Sequence, residues 1–489
     1  MEFNANLLTS IDHYIEDQFP QMLKDLSSLI AIPSVEGVPA PGAPYGIDVR
    51  RALDRALELA SGLGFDVNDG DGHVGYASMP GRESLPGYLA TIAHVDVVPA
   101  GDGWHFPPFE MTEKDGWLIG RGTDDDKNAA VITLYAAKYL KEHGSLRHNF
   151  RLLFGCNEEN AMKDIPYYLA HNDEPLFCLV PDVFFPASNG EKGMYAAAIE
   201  SAPLKGSLVS FEGGMATNAV PGTAEAVVRT DKTLVPANLL KTESAEADHS
   251  GSQESSDDPT PCGTVTAVKK ADGWHLKAYG KAGHAAEPEN AVNAIGLLVS
   301  YLTGNDLLSD DEKIFFEFLK KLYVSYDGSG FGIDCRDELF GGLTAVGGTI
   351  RMEADRIRVT IDCRFPGCLT WQEVDKAVRK AADEAGASVS VTKASDSYYI
   401  DPAEKAVSTC IEVSNSLLGR DEKPEVISGT TFARMFKNAI GFGLDDMTED
   451  MPEWVGFLHG PDEGFSLNQF KVALKLYILT LMELDKLDF

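Results

Sequence analysis

The chain lacks the local carriers of several chemistries. It holds no GxSxG elbow, no HExxH pair and no Walker loop, which removes serine-hydrolase, zincin and nucleotide-hydrolase readings. Cysteine is scarce: seven residues, an odd number scattered without CxxC pairs, argue for reduced thiols and against a disulfide framework or a cysteine zinc site. Cys156 and Cys178 fall on apolar strands and read as core packing. Basic residues are few, 42 Lys and Arg against 75 Asp and Glu, for a formal net charge of −33. With no basic surface to displace phosphate counterions, nucleic acid is excluded as a partner, whereas cations are compatible. No apolar run approaches a membrane span, and MEFNANLLTSIDHYIEDQF has neither a basic n-region nor a cleavage-like site. The expectation is a cytoplasmic protein without membrane contact.

A GxGxxG is present at Gly70, Gly72 and Gly75, but it follows no strand and opens into HVGYASMPG, which reads as a strand. It is a turn and not a nucleotide site. The stretch Lys241–Pro261, KTESAEADHSGSQESSDDPTP, has almost no large apolar residue and reads as a mobile surface insertion. At 489 residues, 44% hydrophobic and 24% charged, the chain has ample material for two soluble domains.

Acidic and imidazole side chains recur at the ends of apolar stretches. YLATIAHVD, Tyr88 to Asp96, is a buried-strand pattern ending in His-x-Asp. Period two puts His94 and Asp96 on one face, so the Asp96 carboxylate could accept the imidazole N–H and fix which ring nitrogen faces a metal. Alone, the same pattern is more often that of a histidine hydrogen-bonded at a strand end, and its company decides for a ligand. In GRGTDDDKN, Gly120 to Asn128, three aspartates precede a helical pattern that Gly144 closes. Capping accounts for one of them, and a carboxylate can also bridge two cations about 3.5–4 Å apart. NFRLLFGCNEEN is a strand followed by Glu158 and Glu159, whose side chains diverge, so one can bind a metal while the other acts as a general base. A solvated acidic pair is the alternative. FCLVPD repeats the pattern with Asp182.

HVDVVPAGDGW, GRGTDDDK, the NEE after a strand, PDxxFP with a later EKG, GKAGHAAEP and HGPDE, in this order, resemble the two-zinc metallopeptidases that include aminoacylases, carnosinases and bacterial PepV-type dipeptidases. The resemblance runs from about His94 to His459. It implies that His94 and Asp182 hold one metal, Glu159 and His459 the other, that Asp125 bridges both, and that Glu158 is the catalytic base. It assigns His284 as oxyanion donor, and Asn218, Arg364, Gly429, Thr430 and Arg434 as substrate-binding residues. For Arg364 the strand pattern also allows a plainly solvated face, since Ile357, Val359, Ile361 and Cys363 alternate with Arg358, Thr360, Asp362 and Arg364. Asn128, the Asn160–Ala161 pair and Ser428 depart from the family's usual glycine-containing motifs, without removing a proposed ligand.

These assignments imply a topology. His459 must return to residues 94–182, so the expected fold is α/β with two domains: a mixed-sheet α/β catalytic domain, residues 1–189 and 396–489, interrupted by an inserted α+β lid, residues 190–395. In the lid, WHLKAYG and RIRVTIDCRF read as strands and Glu289 to Leu302 as a helix; Leu467 to Leu487 reads as a closing amphipathic helix capped by Ser466. The expected cofactors are two divalent metal ions, Zn²⁺ first and Mn²⁺ or Co²⁺ as alternatives. The expected activity is hydrolysis of a small dipeptide by a monomer. The alternative is an N-acyl amino acid deacylase or a succinyl-diaminopimelate-type desuccinylase with the same metal site.

Overall fold

The computed structural model describes residues 1–144, 146–240, 260–446 and 448–489. Most of the acidic Lys241–Pro261 stretch therefore lies outside the described residues. The chain divides into two compact units, residues 1–190 with 399–489, and residues 191–398. Each has its own apolar core.

The first unit is built on a mixed sheet. Strands Asn149–Gly155, Tyr88–His94, Phe177–Val180 and Ala439–Gly441 lie side by side and parallel. Gly75–Met79 and Asp66–Asn68 extend one side antiparallel. Tyr88–His94 is buried at every position, the pattern of a strand covered on both faces. Helix Lys127–His143 is buried around nearly its whole circumference and packs against Ala5–Ile30 and Leu467–Leu484. Its Tyr135 hydroxyl donates to Asp25 at 2.7 Å, while Tyr14 donates to the Tyr135 carbonyl at 2.8 Å. A small sheet pairs Trp117–Ile119 with Thr112–Lys114 on one side and Gly464–Ser466 on the other. That pairing places the HGPDE segment beside the GRGTDDDK loop, although Gly122 and Glu463 are 341 residues apart in the chain.

The second unit is an antiparallel sheet whose longest strand, Arg356–Phe365, pairs with Gly193–Glu200 and Ile350–Glu353. Ile357, Val359, Ile361, Cys363 and Phe365 are all buried, as the alternation requires. The upstream strands Trp274–Tyr279 and Thr223–Val228 carry helix Ala294–Gly304. This helix starts later than its sequence pattern suggests. Pro288–Asn290 forms a separate 3₁₀ turn, and Asn293 then caps by accepting from the Ile295 and Gly296 N–H groups.

Two points left by the sequence are filled in here. Cys335 and Cys368 lie side by side with Cα atoms 6.8 Å apart, within reach of a disulfide, while the other five cysteines stand free. The two partners stand 33 residues apart, a proximity made by chain reversal and invisible in local spacing. The polar face of Arg356–Phe365 is not solvated at its far end, because Asp362 and Arg364 are both buried. Among the described residues, no helix is long and apolar enough to cross a membrane.

The last helix runs Leu467–Leu484, and the Ser466 side chain accepts from the Asn468 and Gln469 N–H groups. Ser466→Ala is expected to cost about 1 kcal/mol, seen as a lower urea midpoint at unchanged m; an unchanged midpoint removes the cap from the account of this helix.

Candidate metal centre

Parallel strands deliver their following residues to one edge of the first unit's sheet, the usual place for a site in such sheets. His94 ends its strand and lies level with Gly155. Glu158 and Glu159 follow Gly155, and Asp182 follows Val180. Asp125 comes from the loop ahead of helix Lys127–His143. That loop turns tightly at Gly122, where φ is +90° and a Cβ would meet Lys127 Cδ at 3.0 Å and Val97 Cγ1 at 3.2 Å. The Asp125–Asp126 peptide bond is cis. Asp126 occupies the cap position but makes no side-chain cap bond. Its Oδ2 accepts the His94 backbone N–H at 3.1 Å instead, tying the helix start to the strand end.

The five proposed ligands and Glu158 come together. Asp125 Oδ1 lies 2.8 Å from His94 Nε2 and its Oδ2 lies 2.8 Å from His459 Nε2. His459 Nε2 is also 3.1 Å from Glu159 Oε2. Donor atoms of His94, Asp125 and Glu159 all fall within 4.8 Å of one another, and so do those of His94, Glu158 and Asp182. Two overlapping groups sharing a histidine, with one carboxylate facing histidines on either side, match the demands of a pair of adjacent cations.

The orientation of His94 tests that fit. Its Nδ1 is 2.9 Å from the Asp96 backbone carbonyl, which can only accept, so Nδ1 carries a proton. A neutral ring then aims its Nε2 lone pair at Asp125 Oδ1. Two acceptors at 2.8 Å repel unless a cation lies between them or the ring is protonated. Among the described residues, neither the buried Nε2 nor the buried Glu158 Oε1 has an aligned hydrogen-bond partner. The residues present therefore fit a bound metal pair.

The Asp96 carboxylate has a different partner from the one its spacing suggests. It stands 3.6 Å from His94 Nδ1 and accepts the backbone N–H groups of Glu158 at 3.3 Å and Glu159 at 3.2 Å. It orients the glutamate turn while its own carbonyl orients the imidazole. Glu159 is further held by the Val98 N–H, which donates to Oε1 at 3.1 Å.

Crowding sets the electrostatics. Burial, followed by the charges of Asp125 and other neighbouring carboxylates, pushes Asp182 and Glu158 well above the carboxylate range, with His94 acting against the shift. Burial and Asp125 raise Glu159 in the same way. Burial also opposes charge on Asp125, but His459 and His94 overcome it and hold this group low. For His459, burial is outweighed by Asp125 and Glu159, which push its pKa up to about 10. The cluster is short of positive charge.

The remaining candidates are distributed between the units. In the first, Gly429 is exposed and Thr430 half-buried just before the 3₁₀ turn Phe432–Met435 that contains Arg434. Phe432 packs edge-on against the His94 ring, centroids 6.3 Å apart. In the second, Asn218 and His284 are exposed on facing chain segments, where Ala219 pairs with His284 and the Ala285 N–H donates to the Asn218 carbonyl at 2.9 Å. His284 Nδ1 accepts the Ala286 N–H at 3.2 Å, so a neutral ring holds its proton on Nε2. Arg364 is buried with its fork on Asp362, Nε to Oδ1 2.7 Å and Nη2 to Oδ2 3.2 Å. Sequence reading passed over Arg121 and Glu463, which join the loops bearing Asp125 and His459. Both lie inside conspicuous motifs, GRG and HGPDE, and that placement was the available signal.

Known proteins with this architecture include human carnosine dipeptidase 1, at a TM-score of 0.58 and 15% identity over 98% of this chain and 100% of that one. The di-peptidase Dug1p of Saccharomyces cerevisiae matches at a TM-score of 0.59 and 12% identity over 98% of each chain. In sequence, the Beta-Ala-Xaa dipeptidase of Lactobacillus delbrueckii subsp. lactis is 27% identical over 477 residues, covering 95% of this chain and 96% of that protein. The model of peptidase family M20/M25/M40 matches residues 90–483, so the chain belongs to that family and is a hydrolytic metallopeptidase.

Proposed function

We propose that this protein is a two-metal dipeptidase that cleaves the amide bond of small dipeptides. The observation that carries the reading is Asp125, whose two oxygens each stand 2.8 Å from a different histidine, with Glu158 beside them and buried. The relative from Lactobacillus, named for its action on Beta-Ala-Xaa dipeptides and matched over nearly its full length, supports the substrate class.

When bound, two divalent ions, Zn²⁺ first and Mn²⁺ or Co²⁺ as alternatives, supply Lewis-acid polarisation of the carbonyl and bring the pKa of water toward neutrality. His94 and Asp182 would hold one ion, Glu159 and His459 the other, with Asp125 between them. Glu158 takes the proton of the attacking water and returns it to the leaving amine. Burial and the surrounding carboxylates raise its pKa, the direction that makes a carboxylate a stronger base. Asp96 keeps the Glu158–Glu159 turn in place through its two backbone hydrogen bonds.

His284 is assigned the oxyanion-donor role, for which an Nε2 proton is needed. Asn218, Arg364, Gly429, Thr430 and Arg434 are assigned to substrate binding, with arginine the residue suited to a peptide carboxylate.

Three measurements test this reading. Glu158→Gln should retain two ions per chain yet lose about 10²–10⁴-fold in kcat; near-normal turnover excludes Glu158 as the base. His284→Ala should lower kcat by about 10²–10³-fold at unchanged metal content, and unchanged kinetics remove it from the reaction. Protein stripped of metal and reloaded with Zn²⁺, Mn²⁺ or Co²⁺ should regain hydrolysis of free dipeptides over their N-acetylated forms, whereas a preference for the acetylated forms would transfer the assignment to a deacylase.

A further inference from the structure

The carboxylates and imidazoles of the centre sit on separate segments, and one buried ion pair touches both the loop that carries Asp125 and the loop that carries His459. Arg121 is 1% exposed and Glu463 is fully buried, and their side chains form a salt bridge. Glu463 Oε1 accepts the backbone N–H groups of Gly122 at 2.8 Å, Asp124 at 3.1 Å and Asp125 at 3.3 Å. Its Oε2 takes Arg121 Nη1. The other arm of the guanidinium, Nη2, donates to the carbonyls of His459 at 3.0 Å and Gly460 at 3.2 Å, and more distantly to those of Pro99 and Ala100 at 3.4 Å.

His459 needs such an anchor. Its side chain is 47% exposed, it belongs to no helix or strand, and its backbone stands at φ +65°, a region that a non-glycine residue keeps only when its surroundings fix it. The carbonyl of His459 itself is what Arg121 holds. The carboxylate on the other end of the pair gathers three N–H groups of the loop that ends in Asp125. A guanidinium can do this because its planar fork serves several acceptors at once, in directions that a single ammonium cannot cover.

We infer that the Arg121–Glu463 pair is a positioning brace that sets the separation of Asp125 and His459, and with it the affinity of the cation site these two share with Glu159. Neither residue touches substrate. The inference rests on the two-metal reading given above and assigns within it a determinant of metal affinity that lies behind the ligands.

Zn²⁺ titration of the full-length, metal-stripped protein by calorimetry tests the brace, with circular dichroism and thermal unfolding recorded before Zn²⁺ is added. Arg121→Lys keeps the buried charge pair but gives up the fork on the His459 and Gly460 carbonyls. Glu463→Gln keeps an acceptor for the loop N–H groups but gives up the charge. Both variants are expected to fold, and to bind one of the two Zn²⁺ ions about 10- to 100-fold more weakly than the unaltered protein. Two ions bound with unchanged affinities in both variants overturn the brace. Loss of folded structure in both variants before Zn²⁺ is added makes the pair a structural element of the unit and likewise overturns it. Unaltered protein that takes up fewer than two Zn²⁺ ions sinks the two-metal reading instead, so the two failures are told apart.

Discussion

Asp125, Glu158, Glu159 and Asp182 crowd a space from which most water is withdrawn, and carboxylates so placed cannot all remain ionised without positive charge among them. Much of the first unit can be read as the scaffold that keeps this arrangement from collapsing. Backbone N–H groups are aimed at the acids: those of Glu158 and Glu159 at Asp96, that of Val98 at Glu159, and that of His94 at Asp126. Each bond fixes the direction of a side chain that would otherwise turn toward solvent or toward a neutralising partner. The parallel strands add a rigid base, since their registers set His94 and Gly155 at one level.

Much of this was legible in the residues alone. The buried strand before His94, the helix after the aspartate triplet and the Ser466 cap each carry a local signal, whether an apolar run, a helical period or a cap residue, and each appears where that signal put it. The mixed sheet and the antiparallel second unit agree with the expected α/β class. Where prediction went astray, the deciding partner was distant or belonged to the backbone. Period two correctly placed Asp96 near His94, yet could not tell that the carbonyl and not the carboxylate would take the ring N–H. Alternation along Arg356–Phe365 could not reveal that Asp362 and Arg364 would satisfy each other out of water. Cys335 and Cys368 offered no spacing rule at all.

Arg121 and Glu463 illustrate a more general limit. An arginine between two glycines and a glutamate after Pro-Asp carry no apolar period that would mark them as buried. Only the pairing of Gly464 with Ile119 shows that they meet, and only burial shows that their pairing must be complete. Local patterns reveal which residues face inward; they do not reveal whom they face.

The small sheet that seats Gly464–Ser466 on Trp117–Ile119 has a consequence for the order of events during synthesis. The first unit is written in two passages, and everything needed for His94, Asp125, Glu159 and Asp182 leaves the ribosome long before the final imidazole does. A nascent chain can complete its second unit while the first still lacks strands Ala439–Gly441 and Gly464–Ser466, helices Lys405–Leu418 and Leu467–Leu484, and His459. The first unit is thus a discontinuous folding unit, closed when its second passage docks on the first.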